Sequence, residues 1–169
     1  MTLKVLVADD HLVNRLMLQT LFENLGCSVV TVTNGRDALD LDQAFDLICV
    51  DRHMPLMGGE ELAGRLGPDA FVVACTSHPA DLAGAFKMVI EKPIDSHAIA
   101  AVVVAARTWR LTKCLASLSA VEILRERHRI CALARAHPQV GASMTEAVHM
   151  AAVAAARTWR VGASQGRPL

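Results

Sequence analysis

A chain of 169 residues that is 53% hydrophobic and 20% charged has the length and apolar content for one packed domain with an appendage, which excludes disorder throughout. Aromatic residues make up 4% and tyrosine is absent, so the core must be aliphatic. The formal net charge of zero hides an asymmetry: residues 1–95 carry 7 Lys and Arg against 14 Asp and Glu, whereas residues 96–169 carry 10 against 3. An acidic module precedes a basic one, which either pairs with it or seeks an acidic partner.

No run of about 18 uncharged apolar residues occurs, and Lys4 lies inside a strand-like run rather than ahead of an apolar leader. The expectation is a cytoplasmic protein without membrane association. The five cysteines, Cys27, Cys49, Cys75, Cys114 and Cys131, lack C-x-x-C spacing and read as reduced structural thiols.

In chain order, Lys4–Ala8 is an apolar run ending at Asp9-Asp10, the pattern of a strand buried on both faces. From Leu12 to Leu25 the residues Val13, Leu16, Met17, Leu21 and Leu25 recur at helical spacing, and Gly26 supplies a stop. Ser28–Val32 predicts a strand, Asn34-Gly35 a break, Arg36–Asp42 a short helix, and Leu47–Val50 a buried strand that ends at Asp51. A helix over Glu60–Leu66, a strand over Phe71–Cys75, a brief helix near Ala80–Phe86 and a strand over Met88–Ile90 complete the alternation. Five strands separated by helices predict an α/β fold with a doubly wound parallel sheet.

After Pro93 the composition turns to Ala, Val, Leu and Arg, predicting helices at 96–116, 119–136 and 143–160 and a frayed tail from Gly162. Asp95-Ser96 is read as the N-cap of the first of these. The domain division is therefore 1–116, with 117–169 as a basic all-helical extension. The hexapeptide Ala105–Arg110 (AARTWR) recurs letter for letter at Ala155–Arg160. Two copies are too few for a solenoid and read most simply as two similar Ala-rich helices.

Polar residues fall at the carboxyl ends of the strands: Asp9 and Asp10 after the first, Asp51 after the third, Thr76 after the fourth, Lys92 after the fifth. In such sheets ligands collect beyond these ends. Converging carboxylates repel one another unless a cation joins them, and Mg²⁺ suits an oxygen-rich site with open positions for phosphate. A carboxylate of that kind can attack a phosphoryl donor, with the lysine and the hydroxyl holding the transferred oxygens.

The runs Val7-Ala8-Asp9-Asp10-His11, Val50–Gly59 (VDRHMPLMGG), Ala74-Cys75-Thr76-Ser77 and Glu91-Lys92-Pro93 resemble the signature blocks of response-regulator receiver domains. Asn14-Arg15 and Asn34-Gly35 further resemble receivers attached to hybrid histidine kinases. The resemblance implies the flavodoxin-like receiver fold, with Asp51 as the phosphoacceptor. It also implies Mg²⁺ held by Asp9, Asp10, Asp51 and the backbone carbonyl of His53, with Thr76 and Lys92 binding the phosphoryl group and a cis bond before Pro93. His53 and His78 occupy positions that in the family influence hydrolysis of the aspartyl-phosphate. The implied partner is a histidine kinase or a histidine phosphotransfer protein, and the protein takes part in phosphotransfer without being an enzyme on a separate substrate.

Two departures stand out. Val89 occupies the place of an aromatic residue whose rotation reports phosphorylation in the family, and the interval from Thr76 to Lys92 is short, predicting a stunted helix between them. The extension is read as a protein-interaction element, with a homodimer through the C-terminal helices as one form. The cluster Arg125, Arg127, Arg129 and Arg135 reads as a solvated face, which makes DNA binding the weaker reading. Two alternatives remain: a DNA-binding transcriptional regulator, and a pseudo-receiver that is not phosphorylated.

Overall fold

Short apolar runs that alternate with amphipathic ones fold here as strand and helix in turn. The computed structural model describes residues 2–79, 84–114 and 118–138. The elements are β1 (Leu3–Ala8), α1 (Leu12–Asn24), β2 (Cys27–Val32), α2 (Gly35–Leu39), β3 (Leu47–Asp51), α3 (Gly59–Leu66), β4 (Val72–Thr76), β5 (Met88–Glu91), α4 (Ser96–Cys114) and α5 (Ala120–Ala136). The strands pair in parallel in the order β2-β1-β3-β4-β5. This is the predicted doubly wound sheet, followed by helices at the C-terminal side.

Each central strand buries both faces, because alternate side chains point to opposite sides. Leu3, Val5, Val7, Cys49, Val73 and Cys75 meet Leu18 and Phe22 of α1 and Ile99, Val102, Val103 and Ala106 of α4. Leu6, Ala8, Ile48, Val50 and Val72 meet Ala38 of α2 and Leu62 and Ala63 of α3. Burial pushes the Cys27 thiol up to about 11, which fits the reading of this cysteine as a structural hydrophobe. All five cysteines are free thiols.

The rotation of α1 differs from the sequence pattern. Val13, Leu16 and Met17 face solvent together with Leu12, while Leu18 and Phe22 enter the core. The side chains of Asn14 and Arg15 bond to Asp9, which turns that face of the helix toward the sheet and the other outward. Asn34 caps α2 by accepting from the Asp37 N–H at 2.9 Å, and α2 stops at Leu39, three residues short of the predicted end. Between β4 and β5, Gly84 and Ala85 form a turn, so the predicted helix does not reach them, and residues 80–83 lie outside the described residues. Val89 on β5 is 41% exposed.

Asp95 accepts from the Ala98 N–H at 2.7 Å and starts α4 as expected. A capping box between Ser119 and Glu122 starts α5. The two helices run antiparallel, with Arg107 opposite Glu126 and the His97 and His137 rings 5.6 Å apart. Val104, Leu111 and Ile130 form a small core between them. Buried Glu126 accepts from Arg107 at 2.7 Å and Arg110 at 3.0 Å, with Arg129 at 3.4 Å. Arg110 also reaches Asp46 at 3.1 Å, and Lys113 pairs with Asp69, so the basic half does attract the acidic one. Arg125, Arg127, Arg129 and Arg135 are exposed, as predicted for a solvated face. The predicted helix 143–160, with the second hexapeptide copy at 155–160, lies outside the described residues.

Removing Glu126 leaves the Arg107 guanidinium buried without its carboxylate. Glu126→Ala is expected to lower the free energy of unfolding by about 3 kcal/mol in urea titrations. Burial pushes the Glu126 carboxyl up, but Arg107, Arg110 and Arg129 outweigh this and hold it below its usual value of 4.5. A depressed carboxyl contributes stability above the unfolded-state value that is lost as pH falls through the folded one. The wild-type advantage over Glu126→Gln should therefore be full at neutral pH and shrink as acid is added below about pH 4.5.

Candidate functional site

Strand order reverses at the β1–β3 junction, where β1 has β2 on one side and β3 on the other. That crossover sets the acids following β1 beside the acid ending β3. Asp9, Asp10, His11 and Asp51 bring one ligand atom each within 4.8 Å of one another. The cleft above them is lined by His11, Asn14, Asp51, His53, Thr76, Ser77, His78 and Lys92. Of the polar residues read at the strand ends, Asp51, Thr76 and Lys92 line this cleft, together with His53 and His78, and Asp9 and Asp10 stand in the acidic cluster with Asp51.

Asp9 is fully buried. Its Oδ1 accepts from the His11 N–H at 2.8 Å, and the Asn14 amide donates to both carboxylate oxygens at 3.2 and 3.1 Å. The Lys92 ammonium donates to Asp9 Oδ2 at 3.1 Å and stands 3.1 Å from Asp51 Oδ2. Lys92 thus joins two carboxylates that would otherwise repel. Burial pulls its ammonium down, but the bonds to Asp9 and Asp51 outweigh burial and raise it above the ordinary lysine value. Asp51, with 11% of its side chain exposed, lines the cleft.

Thr76 is buried, and its hydroxyl accepts from the His78 N–H at 3.1 Å. The Lys92 N–H donates to the Thr76 carbonyl at 2.9 Å, tying the ends of β4 and β5 together beside Asp51. The Lys92–Pro93 peptide is cis. Beyond Asp51 the chain turns through Leu56, whose φ is +65°, into α3. A Cβ at Gly59 would stand 2.5 Å from the Asp51 carbonyl oxygen, so only glycine lets α3 begin this close to the acid.

The sequence reading gave no role to His11. Its Nδ1 stands 2.8 Å from Asp10 Oδ1 and 3.8 Å from Asp9 Oδ1. The available signal was its place directly after the two acids, which the strand-to-helix turn carries to the rim.

The family model for the response regulator receiver domain matches residues 5–104. The chain belongs to the response-regulator receiver family. It is 39% identical to the sensory/regulatory protein RpfC of Xanthomonas campestris over 67 residues, 38% of this chain and 9% of that protein. It is 34% identical to the sensor histidine kinase GacS of Pseudomonas protegens over 116 residues, 59% of this chain and 13% of that protein. This receiver thus matches only a small part of these much longer sensor proteins, and the expected likeness to receivers of hybrid kinases holds. Among solved structures, the response regulator TrrA of Thermotoga maritima in complex with Mg²⁺ and BeF is similar, with 26% identity and a TM-score of 0.58 over 63% of this chain and 99% of that one. A receiver domain from Methylobacillus flagellatus, 23% identical with a TM-score of 0.58 over the same shares, shares the fold.

The close approach at Gly59 generates a prediction. Gly59→Ala should push the start of α3 away from Asp51 and lower stability by about 1–3 kcal/mol, read as a fall in midpoint on thermal unfolding.

Proposed function

We propose that this receiver accepts a phosphoryl group on Asp51, in a Mg²⁺-dependent reaction, from the phosphohistidine of a histidine kinase or histidine phosphotransfer protein. The observation that carries the reading is the convergence of Asp9, Asp10, Asp51, Thr76 and Lys92 on one open cleft at the carboxyl ends of β1, β3, β4 and β5.

An Asp51 oxygen forms the new bond to phosphorus as the phosphorus–nitrogen bond of the donor breaks, and the donor imidazole takes up a proton. The transferred oxygens are held by the Lys92 ammonium and the Thr76 hydroxyl, a reading supported by the 3.1 Å between Lys92 and Asp51 and by Thr76 lining the same cleft. The donor set fits a hard divalent cation, since carboxylates dominate it, and the His53 carbonyl would complete the protein ligands beside Asp9, Asp10 and Asp51. When bound, Mg²⁺ supplies the positive charge that offsets the carboxylates and the incoming phosphoryl oxygens. The Mg²⁺ and BeF complex of the similar TrrA supports this reading. His53 and His78 line the cleft, which supports the reading that they orient or block the water that hydrolyses the product.

Leu12, Val13, Leu16 and Met17 form an exposed apolar face on α1 immediately after the acidic rim, with Val13 76% exposed. A protein donor must bring its histidine to that rim, and this face is where it would rest. With Val89 rather than an aromatic on β5, the phosphorylated state is not reported by a swinging ring at that position. Residues 117–169 act as an appended element for partner binding, beginning with α5 held on α4 by Glu126.

Intact mass after incubation with a small phosphoryl donor and Mg²⁺ tests the acceptor. One adduct is expected in wild type and none in Asp51→Asn or without Mg²⁺; an adduct that persists in Asp51→Asn would overturn the reading. The apolar face generates a separate expectation: Leu16→Asp should slow transfer from a phosphohistidine protein while leaving labelling by the small donor unchanged.

A further inference from the structure

A second cavity lies at the opposite end of the sheet. Where α5 folds back across α4, its C-terminal half stands over the start of β1 and the end of α1 and walls a cavity of about 530 Å³. Small-molecule sites have this size and are concave, mostly apolar and furnished with a few polar groups. Leu25, Ala132, Leu133 and Ala136 form the apolar wall, and Arg107 and Arg129 bring positive charge to it. Among the described residues no carboxylate lines the cavity. Four of the lining residues belong to α5, so the cavity is a property of the extension rather than of the receiver.

Arg107 carries a donor that the fold does not use. The residue is 4% exposed, its bond to Glu126 runs from Nη1 at 2.7 Å, and its Nε is buried without a hydrogen-bond partner. Buried donors are normally paired, and one on a charged group is costly to leave unpaired. Holding α5 on α4 accounts for the Nη1 bond but not for Nε. The Nε side of a guanidinium is an edge that grips a carboxylate through two parallel bonds, and the group stays charged at any working pH. The side of Arg107 that the ion pair leaves unused therefore fits a carboxylate brought into the cavity.

We propose that this cavity binds a small amphipathic anion, a carboxylate carried on an aliphatic body. The carboxylate lies on the Nε edge of Arg107, and the aliphatic part packs against Leu25, Ala132, Leu133 and Ala136. Arg129, whose side chain is 50% exposed, adds positive charge to the same wall. A ligand held there touches the end of α1, α4 and α5 at once, so its binding secures the extension against the receiver. The site is separate from the cleft at Asp51 and does not depend on phosphorylation there.

Amide NMR spectra of the full chain test it, titrated with hexanoate and with its uncharged counterpart hexanamide at about pH 7, where the carboxylate is ionised. Hexanoate should shift the amides of Leu25, Gly26, Leu133 and Ala136 and raise the thermal midpoint. It should bind about tenfold or more tightly than hexanamide, the least that a hydrogen bond to a charged group is worth. Arg107→Lys keeps a cation for Glu126 but lacks the two-bond edge, and should reduce that preference. Ala136→Trp fills the cavity from its wall and should abolish binding of both probes, with the amides elsewhere unmoved. Equal affinity for the two probes overturns the assignment of an anion, and hexanoate binding that survives Ala136→Trp overturns the assignment of the cavity. The inference also falls if hexanoate leaves these amides unmoved, or if they shift with protein concentration alone, which marks a contact between copies of the chain.

Discussion

Three carboxylates share one edge of the sheet, and the positive charge of Lys92 lies between two of them. The ammonium reaches Asp9 and Asp51 at 3.1 Å each and is itself partly withdrawn from water. At that spacing the attraction outweighs the loss of hydration, which is why the lysine remains firmly protonated and the acids can stay together. The arrangement requires β5 to end beside β4, and the bond from the Lys92 N–H to the Thr76 carbonyl sets that alignment. Asp51, the Thr76 hydroxyl and the Lys92 ammonium are thus held by backbone pairing rather than by flexible loops.

A second charge centre governs the other end of the chain. Glu126 is buried between α4 and α5 and accepts from three arginines, two of them on α4. The first hexapeptide copy supplies Arg107 and Arg110 to this cluster, while its Trp109 packs against Phe71 with Lys87 and Lys113 near its ring. The repeated residues are therefore those that tie α4 to both the receiver and its extension. The acidic and basic halves meet through particular pairs, Arg110 with Asp46 and Lys113 with Asp69, and Arg125, Arg127 and Arg135 of α5 are exposed.

The strands were legible because central parallel strands are apolar on both faces, so Lys4–Ala8, Leu47–Val50 and Phe71–Cys75 stand out within a residue or so of their observed limits. Helix rotation was not. Leu16 and Met17 look like core residues by spacing, yet the polar Asn14 and Arg15 decide the orientation of α1 by bonding to Asp9. Propensity and periodicity cannot register a contact made between a helix and the end of a neighbouring strand. His11 escaped for the same reason, since an exposed histidine after two acids has meaning only once its ring is seen 2.8 Å from Asp10.

What the sequence determined by itself was the alternation of elements, the position of each polar residue at a strand end, and the family resemblance carried by four short blocks. These are local properties, set by burial on two faces and by which residue follows each apolar run. The tertiary structure alone decided that β1 lies between β2 and β3, so that Asp9 and Asp51 meet, that Lys92 bridges them, and that α5 folds back on α4 through Glu126. Those contacts join residues up to 83 positions apart, and only the packing of the sheet and its helices brings them within reach.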